Sequence, residues 1–387
     1  MRLDSQHDVV IVGGGPVGGA LALALANRTR SVLLAEARED PVPGNDPRSL
    51  ALSYGSRLVL ERLGVWNQIA PSTAIHAIHV SHRGALGRAV LVAADAGVPA
   101  LGYVVPYAAL QRALRASVQK SPHVTLLLGA RAAQITAAAE SVCVQLEHRS
   151  EQRAVHARLA AITDGSMALE GLTRVRVRDY GQSALVTNVL TSKPHRNWAF
   201  ERFTPDGPMA LLPREAGFAL VWTAAPDLVQ QLCSLPARTF LTQLQSAFGE
   251  RAGTFIEIEE RTAFPLVLRI AERPTAARTV LLGNAAQTLH PVAGQGLNLG
   301  LRDAWELAEV MQTHRGDPGS AHVLTAYAGR RHRDRANGAL ITDALVRLFS
   351  NNRLALRWLR GCGLTLLDAL PPAKHAFVQQ MMFGRVF

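Results

Sequence analysis

Residues 9–26, VVIVGGGPVGGALALALA, constrain the fold more than any other stretch of this 387-residue chain. These eighteen residues carry no charge, and the uncharged stretch is long enough for a membrane-spanning helix. Five glycines and a proline break it in its middle, however, which argues against both a membrane span and a signal peptide. A short strand, a glycine turn and a helix explain this composition better. We therefore expect a soluble or peripheral protein that begins with a strand–turn–helix unit.

The glycines of this turn are spaced as in a dinucleotide-binding fingerprint. Gly13, Gly15 and Gly18 form GxGxxG directly after the β-branched strand of residues 7–12. The first glycine allows a tight turn, the second lets the backbone approach a pyrophosphate, and the third lets the helix pack on the strand. The next strand, SVLLAE, ends in Glu36, where a carboxylate can accept hydrogen bonds from ribose hydroxyls and disfavours a 2′-phosphate. The sequence thus predicts bound FAD or NAD.

Composition excludes several other classes of protein. Hydrophobic residues make up 48% and charged residues 18% of the chain, which is typical of a folded protein with a large core. Three widely spaced cysteines exclude a disulfide framework and favour a reducing, cytoplasmic compartment. The net charge of +11 is compatible with docking on an anionic membrane. Because aromatic residues are only 5% and no nucleic-acid-binding motif is present, we expect no nucleic-acid partner.

The middle of the chain has the pattern of an antiparallel sheet, at residues 74–99 and from about 180 to 262. His76, His79 and His82 are equally spaced there, which could suggest a metal site. In a strand the three side chains would not share a face, because faces alternate with every residue. No carboxylate or cysteine accompanies them, so we predict no metal site.

Three further motifs follow the fingerprint: DPRSLALS at 46–53, Asp164-Gly165, and GNAAQTLHPVAGQGLNLG at 283–300. Together with GxGxxG and Glu36, they resemble the class A flavoprotein aromatic hydroxylases, which have the para-hydroxybenzoate hydroxylase fold and include ubiquinone-biosynthesis enzymes. The resemblance implies an α/β (α+β) fold in which a Rossmann-like FAD-binding domain carries an inserted antiparallel-sheet substrate domain and a C-terminal helical region. The expected domains are residues 1–73, 100–178 and 263–335 for FAD, 74–99 and 179–262 for the substrate, and 336–387 for the C-terminal helices.

The resemblance also assigns residues to FAD. It places the pyrophosphate on Gly13, Gly15 and Gly18 and the ribose on Glu36. Arg48 is expected to reach the pyrophosphate or the flavin edge, or else to form a surface salt bridge. Either Gln111 or Arg112 is a further FAD contact, and Asp164 belongs to a motif that serves both FAD and NAD(P)H in the family. The residues expected around the ribityl chain and the flavin ring are Asn284, Pro291, Gly294, Gln295, Gly296 and Asn298.

Two motifs depart from the family pattern. Asn284 and Gln287 stand where the family usually has Asp and His, and this variant resembles one ubiquinone branch, 2-polyprenyl-6-methoxyphenol hydroxylase. The Asp164 motif lacks its leading glycine and its trailing arginine, which leaves binding of the nicotinamide open.

The implied reaction is hydroxylation of a polyprenylated phenol by O₂ through a flavin C4a-hydroperoxide, with NAD(P)H as electron donor. No catalytic residue is identified: His290, beside Pro291, could tune ionisation of the phenol, but an orienting or structural role fits equally well. Two alternatives stay open. One is a class A hydroxylase or an oxidase acting on another aromatic substrate, and the other is a non-catalytic FAD-binding accessory protein of the biosynthetic complex.

The second sheet and the tail are expected to serve the substrate. Residues that could line an apolar pocket, or could equally be plain core, are Tyr180, Trp198, Phe203, Met209, Leu211, Pro213 and Trp222. The tail, residues 339–387, mixes apolar runs with arginines and a lysine. It predicts either peripheral contact with the inner membrane or helices that dock other ubiquinone-biosynthesis proteins.

Overall fold

The strand–turn–helix unit predicted at the start of the chain opens a parallel sheet. The computed structural model describes residues 6–28, 30–40, 46–84, 87–165, 173–288, 294–349 and 354–384. The strands of this first sheet are β1 (Gln6–Val12), β2 (Val32–Glu36), β8 (Val124–Leu128), β9 (Ala130–Ala137), β10 (Val142–His148), β11 (Glu151–Ile162), β18 (Thr275–Ala276) and β19 (Thr279–Leu281). Their order is β18-β19-β11-β1-β2-β8, and β10 and β9 continue antiparallel from β11.

Five of these strands run parallel, so their carboxyl ends meet at one edge. β1 pairs in parallel with β2 and β11, β2 with β8, and β11 with β19. In open sheets of this kind, ligands bind beyond the carboxyl ends of the strands. The residues that follow β1, β2, β11 and β19 therefore lie at the same edge of the first sheet.

Helix α1 (Pro16–Ala26) is buried along its whole length. Its LALALA segment is apolar on every side, and such a helix is stable only when it is surrounded by protein. It packs in one core with the first sheet, α3 (Tyr107–Lys120) and α6 (Gln295–Thr313). This packing holds the start of α1 directly after the glycine turn.

A small antiparallel sheet leads from the first sheet to the rest of the molecule. It consists of β3 (Ser49–Ser53), β7 (Gly102–Pro106) and β4 (Thr73–Ile75), in that order. The DPRSLALS motif supplies β3, and α2 (Tyr54–Arg62) follows directly. The hydroxyl of Ser53 caps α2 by accepting a hydrogen bond from the backbone N–H of Ser56.

The second sheet has nine strands among the described residues, and most of its pairs are antiparallel. They are β5 (Ala77–His82), β6 (Arg88–Val92), β12 (Val175–Thr191), β13 (Trp198–Thr204), β14 (Gly207–Arg214), β15 (Gly217–Ala224), β16 (Phe255–Ile258), β17 (Thr262–Ala271) and β20 (Gln287–Thr288). Helices α4 (Pro226–Ser234) and α5 (Ala237–Phe248) cover one of its faces. The antiparallel sheet predicted from the middle of the chain is therefore present. The predicted boundary at 262/263 falls at the start of β17, which belongs to this sheet.

The C-terminal part is helical, as predicted. It contains α7 (Ala321–Phe349), α8 (Leu354–Ala369) and α9 (Pro371–Phe383). Within the described ranges, no helix combines the length and the apolar character that crossing a membrane requires.

Candidate active site

The glycine turn after β1 has open space at Gly15 and close packing at Gly18. Gly15 precedes α1 with φ −67° and ψ −177°, and a Cβ built on it would meet no atom within 4 Å. A Cβ on Gly18 would lie 1.9 Å from the carbonyl oxygen of Gly13 and 2.7 Å from Oγ1 of Thr163. Since the first N–H groups of a helix have no partner within the helix, the space beside Gly15 is suited to an anion.

Glu36 and Gln111 border this turn. Oε2 of Glu36 accepts a hydrogen bond from the N–H of Gly14 at 2.7 Å, and Nε2 of Gln111 donates to the carbonyl oxygen of Gly14 at 2.6 Å. Gln111 is 2% exposed, and its Oε1 has no hydrogen-bond partner among the described residues. Arg112, by contrast, is exposed on α3. The structure thus brings Gln111, and not Arg112, to the glycine turn. A cleft beside the turn is lined by Leu34, Leu126, Leu128 and Arg115.

Asp164 and Asn284 lie at the same edge, because β11 and β19 end there. The N–H of Asp164 donates to the carbonyl oxygen of Val12 at 3.1 Å. Asn284 is exposed in a short 3-10 turn, and a Cβ added to Gly165 would lie 3.3 Å from its Cβ. Two motifs far apart in sequence therefore adjoin. The rest of the Asp164 motif, residues 166–172, lies outside the described residues.

Thr163, directly before Asp164, links that motif to the glycine turn. Its buried hydroxyl lies 2.7 Å from the carbonyl oxygen of Gly13, to which it donates, and 3.0 Å from that of Val12. The hydroxyl therefore ties the end of β11 to the glycine turn. From the sequence alone, Thr163 is only the residue before Asp164, and Ile162 stands where the family motif has its leading glycine.

The third motif ends in the first turn of α6. Gly294 caps this helix with φ +59°, a left-handed conformation that favours glycine. Gln295 and Gly296 begin the helix, and a Cβ on Gly296 would meet no atom within 4 Å. His290 and Pro291, also predicted near the flavin, lie outside the described residues.

Asn298, expected near the flavin, lies in the first turn of α6, and its amide is fully used inside the protein. Its Oδ1 accepts hydrogen bonds from the N–H of Ser53 at 2.8 Å and from the hydroxyl of Ser56 at 2.7 Å. Its Nδ2 donates to the carbonyl oxygens of Ala51 and Gly294 at 2.9 and 2.7 Å. An amide has no further capacity for ordinary hydrogen bonds. Asn298 therefore positions the start of α6 against β3 and α2, and its amide is not free to bind a ligand.

Comparison with known proteins identifies the cofactor that this chain binds. A family model described as "FAD binding domain" matches residues 6–340. The chain belongs to this FAD-binding family. It is 37% identical to "Ubiquinone hydroxylase UbiL" of Rhodospirillum rubrum, over 98% of this chain and 90% of the relative. It is 32% identical to "3-demethoxyubiquinol 3-hydroxylase" of Escherichia coli, over 92% and 93% of the two chains.

A solved structure supports the fold. The p-nitrophenol 4-monooxygenase PnpA of Pseudomonas putida matches with a TM-score of 0.81 and 18% identity, over 100% of both chains. The chain is thus an FAD-dependent monooxygenase with the expected fold.

Arg48 of the monooxygenase pairs with a carboxylate close to it in sequence. Its guanidinium binds Asp46 through Nε, at 2.8 Å from Oδ1, and through Nη2. It also lies over the ring of Tyr107, 4.3 Å from the centroid. Burial would raise the pKa of Asp46, but hydrogen bonds and charge attraction from Arg48 hold it below its ordinary value. The salt bridge considered from the sequence is present, and it leaves the side chain of Arg48 41% exposed.

Gln287 of the monooxygenase points into a buried network of charges. Its Nε2 donates to Oδ2 of Asp303 at 3.2 Å, and its Oε1 accepts from Nε of Arg335 at 2.6 Å. Asp303 is fully buried and also accepts from the N–H of Gly283 and from Nε of Arg331, at 3.0 and 2.7 Å. Gln287, which departs from the family pattern, therefore anchors the Asn284 loop to α6 and α7.

Sequence reasoning missed the charged members of this network. Arg331 is 1% exposed and binds Asp334 as well as Asp303, at 2.6 and 2.7 Å. Burial alone would lower the pKa of Arg331, but these two carboxylates raise it above its ordinary value. In a helical sequence rich in arginine such residues look like a solvated face, and only the packing of α7 against α6 shows that they are buried.

The second sheet presents its core on the face covered by α4 and α5. Three of the predicted pocket residues, Met209, Leu211 and Trp222, are buried in that core. Phe203 and Tyr180 lie on the other side, in a cluster with Leu364 of α8. The first three are therefore plain core, which was the alternative to a pocket lining.

His79 lies on β5 and contacts Nη1 of Arg251. Burial, followed by the charge of Arg251, lowers its pKa to about 4, so the ring is neutral at physiological pH. Among the described residues, no group of three potential metal ligands comes together.

Proposed function

We propose that this monooxygenase hydroxylates the phenol ring of a polyprenylated ubiquinone precursor. The observation that carries the proposal is the meeting of the glycine turn, Asp164-Gly165 and the Asn284 loop at one sheet edge, next to a second sheet with a partly accessible apolar face. Relatives that are named ubiquinone hydroxylases, and that match over nearly the whole chain, support the substrate class. FAD, when bound, activates O₂ so that one oxygen atom enters the aromatic ring.

The described residues fit FAD. The open space at Gly15 and the first turn of α1 would hold the pyrophosphate, and Glu36 would accept from the ribose. The buried Oε1 of Gln111 is an acceptor that a hydroxyl or amine of the dinucleotide can satisfy.

The flavin ring would lie against Asn284 and the start of α6. Asn284 offers both a donor and an acceptor to the ribityl chain without adding charge. The N–H groups of Gln295 and Gly296, at a helix N-terminus, would stabilise negative charge on the reduced ring. Arg48 and Asp164 would complete the site, and NAD(P)H would supply the electrons.

The metabolite that accumulates in a deletion strain tests which ring carbon the enzyme hydroxylates. We propose 2-polyprenyl-6-methoxyphenol as the substrate, because of the variant residues Asn284 and Gln287. A deletion strain should then accumulate this phenol and recover ubiquinone when the gene is restored. Accumulation of 3-demethoxyubiquinol instead would move the reaction to another ring carbon, and normal ubiquinone would contradict the proposal as a whole.

We also propose that the end of α8 touches the membrane that holds the substrate. Leu366 and Leu370 are 59% and 44% exposed there, although burial of such side chains is normally favourable. Replacing both with serine should weaken flotation of the protein with anionic phospholipid vesicles. Ile256→Ser, at an apolar residue of the second sheet that is 52% exposed, is the matched control. Equal flotation of all variants would contradict membrane contact through α8.

A further inference from the structure

Glu201 lies on β13, on the face of the second sheet that is turned away from α4 and α5. Phe200 packs into the core under those helices. Ala199 packs instead with Ile75 of β4 and Val104 of β7. Because side chains alternate along a strand, Glu201 shares the face of Ala199, which we call the front face.

The front face is partly accessible and apolar around Glu201. Its register partners are Val80 on β5 and Ala210 on β14. Ala210, Leu212 and Val221 keep accessible surface, whereas their rear-facing neighbours are buried. Glu201 itself is partly accessible, so its side chain borders the space beside this face.

This space lies beside the strands that support the proposed flavin loop. Val104, which packs on Ala199, pairs with Ala51 of β3. A Cβ added to Gly294, at the start of α6, would lie 3.2 Å from the Cβ of Ala51. Glu201, two positions along from Ala199, therefore lies on the side of the second sheet that faces the FAD-binding strands.

The carboxyl of Glu201 has no hydrogen-bond or ion-pair partner among the side chains that the structure describes. Burial raises its pKa to about 8, so it is mostly protonated at neutral pH. Among the described side chains, titratable groups on this face and on the elements packed against it include His82, Tyr103, Tyr180, Arg331, Asp334 and Asp368, and Lys374 of α9 adjoins Asp368. Of these, Arg331 binds Asp334, and Asp368 binds Lys374.

We propose that Glu201 binds the ring hydroxyl of the phenol substrate and so orients the ring in an otherwise apolar pocket. This inference rests on the proposed function. The O–H of the protonated Glu201 carboxyl donates to the phenol oxygen, and the carbonyl oxygen of the same group accepts from the phenol O–H. A site built to hydrogen-bond a hydroxyl discriminates strongly, because the unpaired group costs free energy when the wrong ligand binds.

The test compares Glu201→Leu with Glu201→Gln in the FAD-loaded enzyme, with 2-prenyl-6-methoxyphenol of short prenyl chain as the probe. Leucine should lower kcat/KM and raise the Kd of the phenol by roughly 10- to 100-fold, as expected when a hydrogen bond is removed from a dry site. Glutamine should restore most of this loss, since its amide also has a donor and an acceptor. Binding is followed by flavin fluorescence without turnover. Glu257→Gln, at an exposed glutamate of β16, is the matched control.

A pH profile separates this role from a structural one. In the unmodified enzyme kcat/KM should fall as pH rises through about 8, because the carboxylate that forms cannot donate a hydrogen bond. Glutamine at this position should remove that fall. If Glu201→Leu binds the phenol as the unmodified enzyme does, or Glu201→Gln is as weak as Glu201→Leu, the inference is wrong. If the unmodified enzyme does not bind or hydroxylate such phenols at all, it is the proposed function that fails.

Discussion

Replacing Gly15 with valine should remove FAD without unfolding the protein. A Cβ at Gly15 would meet no atom within 4 Å, and its φ of −67° is allowed for any residue. The new side chain therefore costs the apoprotein little. It would, however, occupy the space in which we place the pyrophosphate, and keep the phosphate oxygens from the N–H groups of α1.

The size of the effect follows from the hydrogen bonds that the pyrophosphate could no longer accept. A hydrogen bond to a charged group contributes about 1.5–3 kcal/mol, so removing two of them costs about 3–6 kcal/mol. At about 1.4 kcal/mol per factor of ten, the Kd of FAD should rise roughly 100- to 10,000-fold. The Kd is measured by titrating apoprotein with FAD and following flavin fluorescence, and thermal unfolding of the apoproteins reports stability.

Two comparison variants sharpen this experiment. Gly18→Ala puts a Cβ 1.9 Å from the carbonyl oxygen of Gly13, so it should destabilise the apoprotein by about 1–3 kcal/mol or more. Gly329→Val, on an exposed part of α7 where a Cβ also meets nothing within 4 Å, should change neither property. If Gly15→Val folds and binds FAD within threefold of the unmodified affinity, the pyrophosphate does not lie on this turn. If it unfolds like Gly18→Ala, the space at Gly15 is not open.

Three further predictions concern other parts of the molecule. Asp303→Ala leaves the buried guanidinium of Arg331 with one of its two carboxylates, so urea denaturation should show a loss of about 3–5 kcal/mol, and an unchanged midpoint would contradict the network. Gln111→Ala should weaken FAD about tenfold and Arg112→Ala less than twofold, as fluorescence titration can check, and equal effects would refute the placement of Gln111 at the site. Because burial and Arg251 lower the pKa of His79 to about 4, below its unfolded value near 6.5, its contribution to stability is present above pH 6.5 and lost as pH falls toward 4. Denaturation at pH 5 and pH 7.5 should therefore show less acid sensitivity in His79→Phe than in the unmodified protein, and equal sensitivity would argue against the shift.

The order of residues along the chain was enough to predict the fold class, the cofactor and the family. The fingerprint predicts a strand, a turn and a helix because each glycine meets a local steric demand, and Glu36 follows at the end of the next strand. Such demands act between residues close in sequence, so they can be recognised without a structure. The resemblance then linked this unit to the motifs at Arg48, Asp164 and Asn284.

The roles of the ambiguous residues became clear only from the packing of distant elements. Gln111 and Arg112 are neighbours on one helix, and the packing of α3 alone buries the first and exposes the second. Asn298 and Gln287 proved to be internal supports, because their partners come from distant elements. The sequence of a strand shows that its side chains alternate between two faces, but not which face packs in the core. Helices α4 and α5 make Met209 core and leave the front face of Glu201 for the substrate we propose.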